Sequence, residues 1–173
     1  MPNTYVKIGT YTAGASSVSL TSIPQGYKDL IMKVSIRRTD AGAFGDDWFT
    51  FNGDGGTNYN WRRNYATGTS VSSQSGQSVG GGYLAFIYIG ASPAASSTAN
   101  SYSNYEIYIP NYSSTTARKS TFAYVASENA ATAGANNFSA GTWNSTAAIN
   151  AITYTTGSLN ALSTITLYGI KNS

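Results

Sequence analysis

Leu30-Ile31-Met32-Lys33-Val34-Ser35-Ile36-Arg37 decides the fold of this chain. Leu30, Met32, Val34 and Ile36 fall on one parity, and Lys33, Ser35 and Arg37 on the other. Side chains two apart share one face of a β-strand, so the octet reads as a strand with an apolar face and a polar face. The same alternation recurs in Tyr105, Ile107 and Ile109 against Glu106 and Tyr108, a run closed by Pro110, which cannot donate a ladder hydrogen bond. It returns in Ile165 and Leu167 against Thr164, Thr166 and Tyr168. Tyr5–Tyr11, Val18–Leu20, Trp48–Asn52, Asn58–Arg62, Tyr83–Ile89, Thr121–Ser127, Phe138–Trp143 and Ala148–Tyr154 add further strand candidates. Amphipathic helical spacing is hard to find. The pattern predicts one all-β domain over residues 1–173, an antiparallel β-sandwich of jelly-roll type with eight to eleven strands and almost no helix.

Glycine, asparagine and serine punctuate these runs. The segment from Phe51 through Asn52-Gly53-Asp54-Gly55-Gly56 to Tyr59 reads as a hairpin-type turn, because Asn and Gly tolerate positive φ. Residues 67–82 are almost wholly Gly, Ser, Gln and Thr, and 90–101 contain Ala-Ser-Pro-Ala-Ala-Ser-Ser-Thr. Neither stretch offers a core-forming face, and both are expected to be flexible loops.

Composition narrows the chemistry. The 173 residues include no histidine and no cysteine, but 14 tyrosines, and charged residues make up only 10% of the chain. Histidine is the usual proton shuttle near neutral pH, and cysteine supplies thiolates, disulfides and soft metal ligands. An enzyme, a metal centre or any other cofactor is therefore not expected. Net charge is +3, with basic side chains sparse apart from the doublets Arg37-Arg38, Arg62-Arg63 and Arg118-Lys119, so a nucleic-acid partner is not expected either. No apolar run approaches a membrane span and the start lacks the pattern of a secretory signal, which points to synthesis in a cytoplasm and no membrane partner.

Three motifs invite a chemical reading. Gly76-Gln77-Ser78-Val79-Gly80 matches the G-x-S-x-G nucleophile elbow, but the elbow needs a strand before it, a helix after it and a histidine base. Asn52 and Asp54 offer oxygens to calcium without the terminal bidentate glutamate of a helix-loop-helix site, so the turn-forming role is favoured. Asp29, Asp40, Asp46, Asp47, Asp54, Glu106 and Glu128 supply carboxylates for glycoside hydrolysis if two of them face each other across a cleft.

Tyrosine and arginine carry the stronger signal. Tyr59, Trp61 and Arg63 share one strand face and Asn58, Asn60 and Arg62 the other, while Tyr83, Tyr88, Tyr102, Tyr108 and Tyr112 exceed what a core of this size demands. Tyrosine beside arginine is the composition of interfaces. Arg37, Arg38, Arg62, Arg63, Tyr108 and Tyr112 are the expected partner-binding residues, with Arg37 and Arg62 projecting from polar strand faces.

Several segments together resemble a known group. Val18-Ser19-Leu20-Thr21-Ser22-Ile23-Pro24, Tyr27-Lys28-Asp29-Leu30, the run from Phe51 to Trp61, Glu106-Ile107-Tyr108-Ile109-Pro110-Asn111-Tyr112, Trp143 to Ile149 and Leu167-Tyr168-Gly169-Ile170 are similar to small virion proteins of tailed bacteriophages, including those of cyanobacteria. The resemblance implies a β-sandwich on the particle exterior, assembled in the host cytoplasm, and no catalytic residue. The expected role is a capsid decoration (cement) protein, a homotrimer bound to the major capsid protein; the alternative is a tail or fibre module binding host surface glycans.

Overall fold

A computed structural model describes residues 4–12, 16–77, 86–128 and 134–171. Among the described residues twelve strands form two antiparallel sheets, and there is no helix. The strands are β1 (Thr4–Thr12), β2 (Ser17–Leu20), β3 (Asp29–Ile36), β4 (Phe44–Phe51), β5 (Tyr59–Thr67), β6 (Ser70–Gln77), β7 (Ile87–Pro93), β8 (Ser103–Ile109), β9 (Lys119–Glu128), β10 (Gly134–Trp143), β11 (Ile152–Thr155) and β12 (Thr164–Lys171). The larger sheet runs β1-β12-β3-β8-β9-β10-β5-β6, and the smaller runs β2-β11-β4-β7. The pairs β1 with β12, β2 with β11, β3 with β8 and β4 with β7 alternate between the sheets, an order compatible with a rolled-up hairpin of jelly-roll type. Two hairpins, β5-β6 and β9-β10, widen the larger sheet.

The core lies between the sheets. Leu30, Met32, Val34, Ile36, Ile107, Ile109, Ile165 and Leu167 are all buried, as their parity requires. Facing them or beside them are Leu20, Phe49, Phe51, Ile152 and Tyr154. Phe51 packs on Phe49 and Trp143, with ring centroids 5.1 and 5.6 Å apart. Tyr59 is fully buried because its hydroxyl has partners: it accepts from Phe51 N at 3.0 Å and lies 3.1 Å from Asp54 O.

Three segments depart from the reading of the sequence. Twelve strands exceed the expected eight to eleven because Ser70–Gln77, placed in a loop, is the strand β6. It pairs in register with β5, Thr67 opposite Ser70 and Asn60 opposite Gln77, so main-chain hydrogen bonds order a stretch that has no apolar face of its own. Residues 78–82 of that expected loop, 83–85 of the expected strand and 78–80 of the G-x-S-x-G match lie outside the described residues. The second expected loop begins later than 90, since β7 continues to Pro93. The glycine-rich turn after Phe51 does use positive φ, 53° at Asn52 and 68° at Gly53, but it passes the chain from the smaller sheet to the larger instead of closing a hairpin.

Candidate functional site: an aromatic sheet face

Most polar residues singled out in the sequence serve the fold. Arg37 is only 8% exposed. Its guanidinium donates to the carbonyl oxygens of Thr98, Ser101, Ala94 and Ser97 at 2.9 to 3.2 Å. Strand pairing stops at Ile36, so alternation no longer dictates where Arg37 points, and the loop after Pro93 turns several carbonyls toward one multi-donor group. This corrects the expectation of an outward Arg37. Arg38 is partly buried and likewise engaged within the chain: it bonds both oxygens of Asp40, at 2.9 and 2.6 Å, and Asp46 O at 3.0 Å. Tyr112 is fully buried and donates to Pro24 O, so it belongs to the core and not to a partner surface. Lys119 is buried too, and donates to Ser114 O, Ala117 O and Thr146 O; burial lowers its pKa.

The described carboxylates are all held from within the chain. Asp29 accepts from Tyr108 and from Asn111 N, Asp46 from Tyr88, Asp47 from Tyr105, and Glu106 pairs with Lys33. Asp54 accepts from Gly56 N, Asn58 and Trp143 Nε1. Burial would raise its pKa, but these donors hold it below the usual range. Asn52 accepts from Asn150 N and Ala151 N and donates to Ala148 O. The turn-forming role of Asn52 and Asp54 is therefore occupied. Among the described residues no group of three or more acidic side chains is placed to hold a metal ion.

Asp47 stands apart. It is fully buried, and desolvation pushes its carboxyl up to about 7 against the lowering influence of the Thr156, Tyr105 and Ser92 hydroxyls. Its Oδ1 has no aligned partner, and neither do the hydroxyls of Ser92, Thr156 and Tyr154.

What the fold does not use lies on the outer face of the larger sheet. Register sets Tyr108 of β8 beside Phe122 of β9, then Ala140 of β10 and Arg62 of β5 in one row across the strands. The next row runs Lys33, Glu106, Tyr124, Phe138 and Asn64. Phe122, Tyr124 and Phe138 are 41%, 57% and 48% exposed. The rings of Tyr108, Phe122 and Phe138 form a strip, with Tyr124 beside Phe138 in register: Tyr108 lies 5.3 Å from Phe122, and Phe122 stacks on Phe138 at 6.3 Å with 28° between planes. Tyr5 and Tyr168 make a second, edge-to-face pair at 6.3 Å. Burial and the Asp29 hydrogen bond push Tyr108 up to about 12, so its hydroxyl stays protonated and its ring is held at one edge of the strip.

Of the six residues expected to bind a partner, two lie on this face: Tyr108 in the strip itself, and Arg62 in the same row beyond Ala140. Arg63 is on the opposite parity, its guanidinium 4.4 Å from the Tyr65 ring and 4.1 Å from the Tyr88 ring, and it bonds Gln74. Phe122, Tyr124 and Phe138 were not among the expected residues. Their signal was present: in Thr121–Ser127 both parities carry apolar side chains, so one of the two faces had to be covered by something or exposed.

The chain matches no protein-family model, and neither the curated proteins nor the solved structures compared with it include a match.

Proposed function

We propose that this chain is a non-enzymatic structural protein of a tailed-bacteriophage particle, seated on the outer surface of the capsid through the aromatic face of its larger sheet, with the major capsid protein as partner. The single observation that carries the attachment surface is the strip Tyr108-Phe122-Phe138 with Tyr124. Three rings in contact, two of them nearly half exposed, are the anchors that protein interfaces favour, and few charges interrupt them. The phage context rests on the resemblance read from the sequence.

The double variant Phe122→Ser with Phe138→Ser tests the reading. It keeps the circular dichroism and melting curve of the parent within about 1 kcal/mol, since exposed aromatic pairs contribute little to folding. It no longer co-sediments with capsid shells stripped of this protein, whereas full occupancy by the variant would refute the surface. Arg62→Ser gives a smaller loss that grows with salt.

One observation favours a second reading, a tail or fibre module on host glycans. Tyr124, Phe138, Asn64 and Asn136 line a shallow depression of about 200 Å³, where a sugar ring would lie on an aromatic face with amides at its hydroxyls. Retention on immobilised neutral glycans, abolished by Tyr124→Ser, together with a copy number of a few to tens per particle, would place the chain there.

A further inference from the structure

We propose that the free edge of β6 pairs antiparallel with β6 of a second copy, joining two eight-stranded sheets into one about a two-fold axis. An unpaired strand edge is a row of main-chain donors and acceptors, and proteins blunt such edges with charges, proline, bulges, short strands or a cover. Three of the four edges in this sandwich are blunted. Strand β1 carries Lys7 and a bulge between Lys7 and Gly9. Strand β2 is only four residues long, and β7 is almost wholly buried on both parities. Among the described residues strand β6 has none of these devices: it is eight residues long, Ser-Val-Ser-Ser-Gln-Ser-Gly-Gln, without charge or proline. Ser70 to Ser75 are exposed on both faces, Val71 to 79%.

The turn sets which groups are free. Gly68 and Thr69 form a two-residue loop with Gly68 at φ 57°, so Thr67 and Ser70 exchange hydrogen bonds across it. Alternation then directs Ser70, Ser72 and Gln74 toward β5, and the N–H and C=O groups of Val71, Ser73 and Ser75 toward the open edge. Two copies paired with Ser73 opposite Ser73 place Val71 opposite Ser75 of the second copy. The two-fold sets β6 against its own sequence, so any charge on it would face a short uncharged or like-charged strand; with no charge on β6, none repels across the seam. This is why the occupant is a second copy.

Two identical strands paired in this way make dimers, where the sequence led us to expect trimers. Antiparallel addition keeps both sheets facing the same way. The row Phe138-Asn64-Ser73 therefore runs on into Ser73, Asn64 and Phe138 of the second copy, and the two Phe138 positions stand five strand spacings, about 24 Å, apart. That consequence rests on the attachment face proposed above, and it makes attachment bivalent.

Sedimentation equilibrium of the full chain tests the edge. The parent sediments as a dimer at micromolar concentration. Val71→Lys with Ser75→Lys sets two lysine pairs face to face across the seam and weakens dimerisation by about tenfold or more. Val71→Lys with Ser75→Glu sets lysine opposite glutamate and restores it, which only this register allows. Unchanged circular dichroism shows that both variants fold. A parent that is monomeric throughout, two variants that behave alike, or dissociation by Phe122→Ser with Phe138→Ser would each overturn the pairing. The last variant also separates the two proposals, because it stays dimeric and loses the particle if both hold, and a monomeric parent that still needs Phe122 and Phe138 to bind shells removes the edge pairing alone.

Discussion

Two strand pairs of the same sheet solve the inside-outside problem in opposite ways. On β3 and β8 the inner face carries Leu30, Met32, Val34, Ile107 and Ile109, and the outer face carries the ion pair of Lys33 and Glu106, with Ile31 and Tyr108 in the row that borders the strip. On β9 and β10 the inner face beneath β7 is small, with Ala123, Val125, Ser139 and Gly141, and Trp143 enters the core only at the end of β10; the outer face carries Phe122, Tyr124 and Phe138. The inner residues are small because β7 crosses close above them: Ser139 donates to Tyr88 O at 2.9 Å, and a Cβ on Gly141 would stand 2.4 Å from Ile87 Cγ2. With the interior beneath β7 already filled by a neighbouring backbone, the large side chains of this stretch are left for the surface. An exposed aromatic here is not a failed core residue, because the core has no space for it.

The largest effect that separates the two pairs comes from a buried charge. Val34→Asp abolishes folding, since an unpaired interior carboxylate costs several kcal/mol against a total of roughly 5–15 kcal/mol. Tyr124→Asp shifts stability by less than about 1 kcal/mol. Urea unfolding followed by circular dichroism measures both, and equal losses would break the comparison.

A carboxylate that the inner face already tolerates gives the next effect. Asp47 accepts from Tyr105 on the inner side of β8 and titrates near 7 in the fold, against about 3.9 in the unfolded chain. Between these values the folded state holds a proton that the unfolded state has released. Stability from this group is therefore full below about pH 4 and falls as pH rises to about 7, by a total on the order of 4 kcal/mol. Asp47→Asn removes that slope. The comparison of unfolding midpoints at pH 5 and pH 8 decides it: a parent with no loss at pH 8, or a variant with the same loss, means that Asp47 does not set the slope.

The smallest effect concerns the small residues themselves. Gly141→Val drives a branched side chain against Ile87 and Thr121 and costs about 1–3 kcal/mol, whereas Ala140→Val on the outer side of the same strand is close to neutral. If the valine at 141 were tolerated, close approach of β7 would not explain the inversion.

The sequence by itself determined the fold class and the facing of the strongest strands. Alternation at 30–36, 105–109 and 165–167 assigned eight core residues correctly, because a period of two with one apolar parity has only one buried solution. It also separated Tyr59, Trp61 and Arg63 from Asn60 and Arg62 on β5. Tertiary structure decided the rest. Strand β6 exists because β5 offers it a ladder, which a run of Ser and Gln does not announce. Arg37 is interior because a distant loop turns its carbonyls toward it, a contact about sixty residues away in sequence. Which face of β9 is buried depended on β7 crossing above it. Local pattern records what a residue prefers next to its neighbours, whereas these three outcomes depend on which backbone arrives opposite, and only the folded chain settles that.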